Sequence, residues 1–167
     1  MINFKKGPAF SLHQVNYIGN AKKDEGIVAG MVVNVDSNGD VVKADGSNAA
    51  ADKEKLYGFA INNQTAGDVL ESGKIGVYAL DGSSVIETDQ TTDAITAGNY
   101  PIGALLGAAT DSSGTLTKVT NTYAGKIVGQ VEGIRSIPGT VQTLTDNNGN
   151  PFKVQGTTTV LAVKLLS

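Results

Sequence analysis

One histidine, His13, and no cysteine are all the imidazole and thiol this chain carries. Thiolate nucleophiles, disulfides and cysteine-ligated metals are therefore excluded. His13 stands two residues from Ser11, but measured against triad geometry the pair does not read as base and nucleophile. We read His13 as an exposed spectator, so His13→Ala is expected to leave fold and function intact. No G-x-S-x-G, Walker A, G-x-G-x-x-G or H-E-x-x-H pattern occurs. Gly73-Lys74 and Gly125-Lys126 lack the upstream glycine and the hydroxyl residue of a phosphate loop. Two stretches imitate calcium loops. Asp36-Ser37-Asn38-Gly39-Asp40 has Val41 sixth and Ser47 twelfth, where glycine and glutamate are needed, and Asp146–Asn150 fails with Pro151 and Thr157. Hairpin turns explain both better. Acids fall mainly in turns and no tryptophan is present to stack a sugar, so a carboxylate pair for glycoside hydrolysis has little support. Asn63-Gln64-Thr65 is a glycosylation sequon without a secretory signal ahead of it, and is discounted. The chain reads as a non-enzyme, without metal or cofactor.

The elements that hold these residues are strands. Among 167 residues there are 21 glycines, with abundant Thr, Asn, Asp and Val, the composition of short strands joined by tight turns. Residues 40% apolar and 17% charged suit a folded globular chain of one domain or two very small ones. The net charge of −3 argues against a general nucleic-acid binder. No apolar run approaches membrane-spanning length, and Met1–Tyr17 has no apolar signal core. Charge is uneven. Residues 1–23 hold Lys5, Lys6, Lys22 and Lys23 with no acid, while 75–117 hold five acids and no base. Either these are solvated segments, or a basic arm docks on an acidic neighbour.

Lys55–Leu80 organises the rest: a Leu56–Asn62 strand, a turn, and a Lys74–Leu80 strand alternating around Ile75, Val77 and Ala79. Gly58 and Gly76 sit inside these strands, as at a bulge, bend or close backbone approach. The unit recurs. Lys55–Asn62 aligns with Lys126–Gly133, Ser72–Leu80 with Gln155–Val163, and Ala29–Lys43 is echoed by Ala97-Gly98 and Asp111–Lys118. We therefore expect an all-β small barrel or sandwich built from two related strand–hairpin units. An N-terminal arm and first strand would occupy 1–25 and the β domain 26–167, with repeats near 26–80 and 97–165. Asn38-Gly39 predicts a type I′ hairpin turn, and Ile137-Pro138-Gly139 a turn. Val141–Thr145 and Phe152–Gln155 predict a hairpin, and Ser47–Leu56 is either one or two helical turns or a loop. Leu56, Gly58 and Ala60 match Ile127, Gly129 and Val131 as a small apolar face. The opposite face is Tyr57, Phe59, Ile61 in one copy and Val128, Gln130, Glu132 in the other. The first copy should thus be covered on both faces and the second half-exposed.

The segment Gly26–Leu80, with A-G-M-V-V, D-x-x-G-x-V-x-x-A, Y-G-F-A-x-N, A-G-D-V-L and G-K-I-G-V-Y-A-L, resembles the β-rich decoration (cement) proteins of tailed-bacteriophage capsids. The resemblance covers about a third of the chain strongly. It implies a virion protein on the outer capsid surface, made in the host cytoplasm, which binds the major capsid protein and stabilises the shell by bridging its subunits. It also implies a homo-oligomer, a trimer being one arrangement, with no nucleic acid or membrane partner. Expected contact residues are Phe4, Lys5, Lys6, Phe10 and Tyr17 of the arm and Tyr57, Phe59 and Ile61 of the apolar strand, although core is the default role for the last three. The alternatives are a receptor- or glycan-binding module of a phage tail, baseplate or head fibre, and a bacterial surface domain.

Overall fold

The computed structural model describes residues 2–6, 17–22, 25–47, 57–64 and 74–167. Its elements are β1 (Ile2–Lys6), β2 (Tyr17–Asn20), β3 (Val32–Val35), β4 (Val41–Lys43), β5 (Tyr57–Ala60) and β6 (Lys74–Ala79), then β7 (Val85–Thr88), β8 (Leu105–Ala108), β9 (Leu116–Lys118), β10 (Ile127–Thr145) and β11 (Pro151–Leu165). The protein is all-β, with no helix among the described residues. The Ser47–Leu56 helix-or-loop alternative lies outside them, save Ser47, as do Ser11 and His13.

The strands form two antiparallel sheets, one ordered β2-β6-β5-β3-β4 and the other β1-β7-β11-β10-β8-β9. Without the added edge strand β1, the second follows the same path as the first, each strand replaced by the one five places later. The correspondence extends to the margins. Just after β2, Ala21 makes a parallel bridge to Val41 of β4, and just after β7, Thr91 makes one to Leu116 of β9. One bridge in each unit thus links the segment after β2 to β4, and the segment after β7 to β9. The expected relatedness of two strand–hairpin units is present in strand order, with β2 and β7 joining the units upstream.

Register is where the two part. Gly58 pairs with Ala79, but Gly129 pairs with Leu165, three places beyond the Ala162 that alignment predicts. Shifts in β10 lie between Ile127 and Gly129 and between Val131 and Gly133. They let Val128 and Val131, three residues apart, both reach the core, which strict alternation forbids. The predicted pairing of Val131 with Ile127 on one face is corrected accordingly: Val131 is buried and Ile127 exposed.

The sheets pack over one apolar layer. From the first come Val32, Tyr57, Phe59 and Tyr78, and from the second Ile86, Leu106, Leu116, Val128, Val131, Leu161, Val163 and Leu165. The other face of the first sheet encloses Ile27, Val33, Val41, Ala60, Ile75 and Val77, with Tyr17 and Ala21 against them. Strand β5 is thus covered on both faces, as expected, and all four of its residues are buried. Its cover is the second sheet on one side and the cluster of Ile27, Val33, Val41, Ile75 and Val77 on the other.

The carboxylates near the turns are occupied locally. Asp36 Oδ1 accepts the amides of Asn38 and Asp40 at 2.8 and 3.1 Å, and Asp146 Oδ1 those of Asn148 and Asn150 at 2.8 and 2.8 Å. In these two hairpins only Gly39 (φ 85°) and Gly149 (φ 83°) have positive φ. The predicted type I′ turn, which needs two such residues, is therefore replaced by a turn with one left-handed glycine before the returning strand.

Candidate interaction surfaces

Strands β10 and β11, of 19 and 15 residues, are the longest among the described residues. Only their base belongs to a wider sheet. Strand β8 pairs with β10 at Ile127–Gln130, and β7 with β11 at Leu161–Lys164. Beyond Arg135 and Val160, each has only the other as partner, from Ser136↔Thr159 out to Thr145↔Pro151. At about 3.3 Å per residue the free ribbon extends roughly 30 Å from the body. Its residues 140–157 are all exposed.

Local sequence accounts for this shape. Pro138 has no N–H to give the ladder, and the register shifts between Pro138 and Val141, so the predicted Ile137–Gly139 turn is instead a bulge within a continuous strand. At the tip, the Asp146 carboxyl is held below its ordinary value by the backbone and side chain of Asn150 and the amide of Asn148. Cross-strand partners share a face, so Leu144 with Phe152 and Gln142 with Val154 form one side of the ribbon. Thr143 with Lys153 and Val141 with Gln155 form the other. At the base, Arg135 reaches Glu87, a buried acid on β7, at 3.3 Å and Glu132 at 3.2 Å.

The N-terminal residues supply a second extended element. Strand β1 adds to the β7 edge, with Phe4 opposite Ile86 and Lys6 opposite Val85, so Phe4, Lys5 and Lys6 belong to a sheet margin. Phe10 lies outside the described residues. Tyr17 is half-buried, and its hydroxyl donates to the Gly39 carbonyl at 2.5 Å, which anchors β2 to the β3–β4 turn. Two expected contacts are corrected. Tyr57 and Phe59 are 3% and 0% exposed, because the second sheet packs over them, so neither offers a surface to a partner. Ile61 is half-buried against the same core.

No group of three or more His, Cys, Asp or Glu side chains is placed to hold a metal among the described residues. An open cleft of about 510 Å³ is lined by Gly46, Thr92, Asp111, Thr120 and Tyr123 among others. Ser113 donors hold the Asp111 carboxyl below its ordinary value. The Tyr123 hydroxyl donates to the Ala108 carbonyl at 2.9 Å. The cleft thus offers several hydroxyls with one acid, Asp111, and one base, Lys118.

The exposed ribbon residues Leu144, Phe152 and Val154 were not among the residues expected to touch a partner. Alternation on both sides of Asp146–Asn150 signals the hairpin, but nothing in it signals how far the hairpin stands from the body. Comparison of the chain with protein-family models, with characterised proteins and with solved structures finds no match.

Proposed function

We propose that this chain is a structural virion protein that binds the outer surface of a phage head and stabilises the shell by bridging major capsid subunits. The observation that carries the reading is the division of labour within the molecule. A doubled sheet body spends its described turn carboxylates on its own amides, while extended elements, β1 and the β10–β11 ribbon, reach its margins. This is the build of a binding protein whose contacts are spread over surface and backbone. A protein that binds only the assembled shell stabilises it by mass action, and several modest contacts combine through effective concentration.

The test is to add the purified chain to undecorated heads at moderate salt, then measure bound copies and the temperature at which heads disrupt. Shell-wide saturation with a raised disruption temperature is expected, and removal of Met1–Lys6 should weaken it. Truncation must stop there, because Tyr17–Asn20 pairs with β6 and its loss would damage the body. Absent binding, or a few copies at one vertex, would refute the reading. The second reading, a receptor- or glycan-binding module, is favoured by the hydroxyl-lined cleft. It predicts saturable oligosaccharide binding that Asp111→Ala abolishes.

A further inference from the structure

Arg135 and Val160 form the pair at which the ribbon leaves the body. The Arg135 side chain turns back towards that body. Its Nη1 donates to Glu87 Oε1 at 3.3 Å and its Nη2 to Glu132 Oε2 at 3.2 Å. Glu132 is a near neighbour on the same strand, but Glu87 is on β7, and β11 lies between. The guanidinium therefore reaches across one whole strand, with roughly 10 Å from strand axis to strand axis at sheet spacing. Arginine suits the task, because its planar fork serves two carboxylates at once.

Glu87 ties this contact to the N-terminal strand. The Glu87 side chain is 1% exposed and that of Arg135 40%, so the acid is fixed and the base is the movable partner. Glu87 stands opposite Ala162 on one side and Asn3 of β1 on the other. Without β1, β7 would be the edge of the sheet. With β1 in place Glu87 is an interior position, and a carboxylate held there out of water binds a cation strongly and tolerates its loss badly. With β1 gone, water reaches that flank, and an ion pair in water is worth little.

We propose that Glu87 and Arg135 couple the two extended elements of the molecule: docking of β1 on β7 latches the ribbon to the body, and release of β1 frees the ribbon to swing. The bistable element is the ribbon base, where register shifts between Val131 and Gly133 and between Pro138 and Val141 flank Arg135 and interrupt the ladder. Such coupling is reciprocal, so a partner that takes up β1 loosens the ribbon, and one that clamps the ribbon tightens β1. The inference rests on the geometry of the pair and not on what either element meets, so it stands apart from the shell-binding reading.

The chain has no cysteine, so Asn148→Cys at the ribbon tip and Ile102→Cys, 80% exposed on the body, give a clean pair of spin-label sites. Double electron–electron resonance should show one narrow distance distribution in the otherwise native chain. Arg135→Ala, Glu87→Gln or removal of Met1–Lys6 should each broaden it. Hydrogen exchange reads the coupling in the other direction. Arg135→Ala should speed exchange of the Ile2–Lys6 and Val85–Thr88 amides by at least about 5-fold, the low end of allosteric coupling, and leave the β3–β5 amides unchanged. In a Glu87→Gln background, Arg135→Ala should add nothing further. A narrow distribution that survives removal of Met1–Lys6 overturns the proposal, as does β1 exchange indifferent to Arg135→Ala. Faster exchange spread evenly over both sheets overturns it too, because that reports general destabilisation.

Discussion

Gly58 tests the packing of the central strand against its neighbour. A β-carbon added there would stand 2.3 Å from the Tyr78 carbonyl oxygen and 2.6 Å from Val77 Cγ1. Both belong to β6, whose Ala79 and Tyr78 pair with Gly58 and Phe59. The nearest obstacle is backbone within the ladder, so no rotamer change can relieve it and the strands must separate. Overpacking of this kind costs roughly 1–3 kcal/mol. Against that, alanine reduces unfolded-state entropy and returns about 0.4–1 kcal/mol. With a carbonyl in the way the upper part of the range applies, and Gly58→Ala should lose about 2 kcal/mol. At roughly 2–4 °C per kcal/mol for a chain of this size, the melting temperature should fall by about 4–8 °C. Gly133 is the control. A β-carbon there meets nothing within 4 Å, and its φ is not positive, so Gly133→Ala should raise the melting temperature by about 1–4 °C. Thermal unfolding followed by far-ultraviolet circular dichroism, with urea titrations to compare m-values, measures both. Gly58→Ala melting at or above wild type would refute the close approach of β5 and β6.

Three further outcomes follow from burial and hydrogen bonding. Phe59→Ala should cost about 3–5 kcal/mol as a core truncation, while Ile102→Ser, at a position 80% exposed, should change stability by less than about 0.5 kcal/mol; denaturant midpoints compare them. Partial burial pushes the Asp81 carboxyl up, but donors on Ser84, Ser83 and Tyr78 outweigh it and hold the group below its ordinary value. Its folded pKa thus lies below the unfolded one, so the stabilisation is complete above the unfolded value near 4 and is lost as pH falls through the folded one. Asp81→Asn should flatten the acid limb of stability against pH, and an unchanged limb would refute this. Tyr78→Phe removes the hydroxyl that contacts Asp81 at 3.0 Å and Ser84 at 2.9 Å, and should lower stability by about 0.5–1.5 kcal/mol by urea titration.

Much of the architecture was legible because it rests on local signals. Glycine inside the Lys55–Asn62 and Lys126–Gly133 patterns marked close approaches, and an added β-carbon at Gly129 would indeed stand 2.4 Å from Val163 Cγ1. Alternation placed Leu161, Val163 and Leu165 on one face, and all three enter the core. Register was not legible, because it depends on bulges in β10 that leave no mark on composition. Asn38-Gly39 predicts a type I′ turn, whereas Asp36 captures the following amides and leaves only Gly39 left-handed. Tyr57 and Phe59 carried two readings, and sequence could not choose between them because core and contact demand the same side chains.

The duplication also isolates what the fold does not require. Both hairpins, β5–β6 and β10–β11, occupy the same place in the same strand order. In the first, Ala60 pairs with Val77, seventeen positions on. In the second, Val131 pairs with Val163, thirty-two positions on. The first unit buries β5 on both faces with the shorter connection. The longer one in the second therefore answers no demand of the core, and its exposed residues contribute almost nothing to burial. Such a segment costs ordering entropy that its own burial does not repay in the isolated chain. The apolar strand at Tyr57–Ala60 does the opposite, giving Tyr57 and Phe59 wholly to the core.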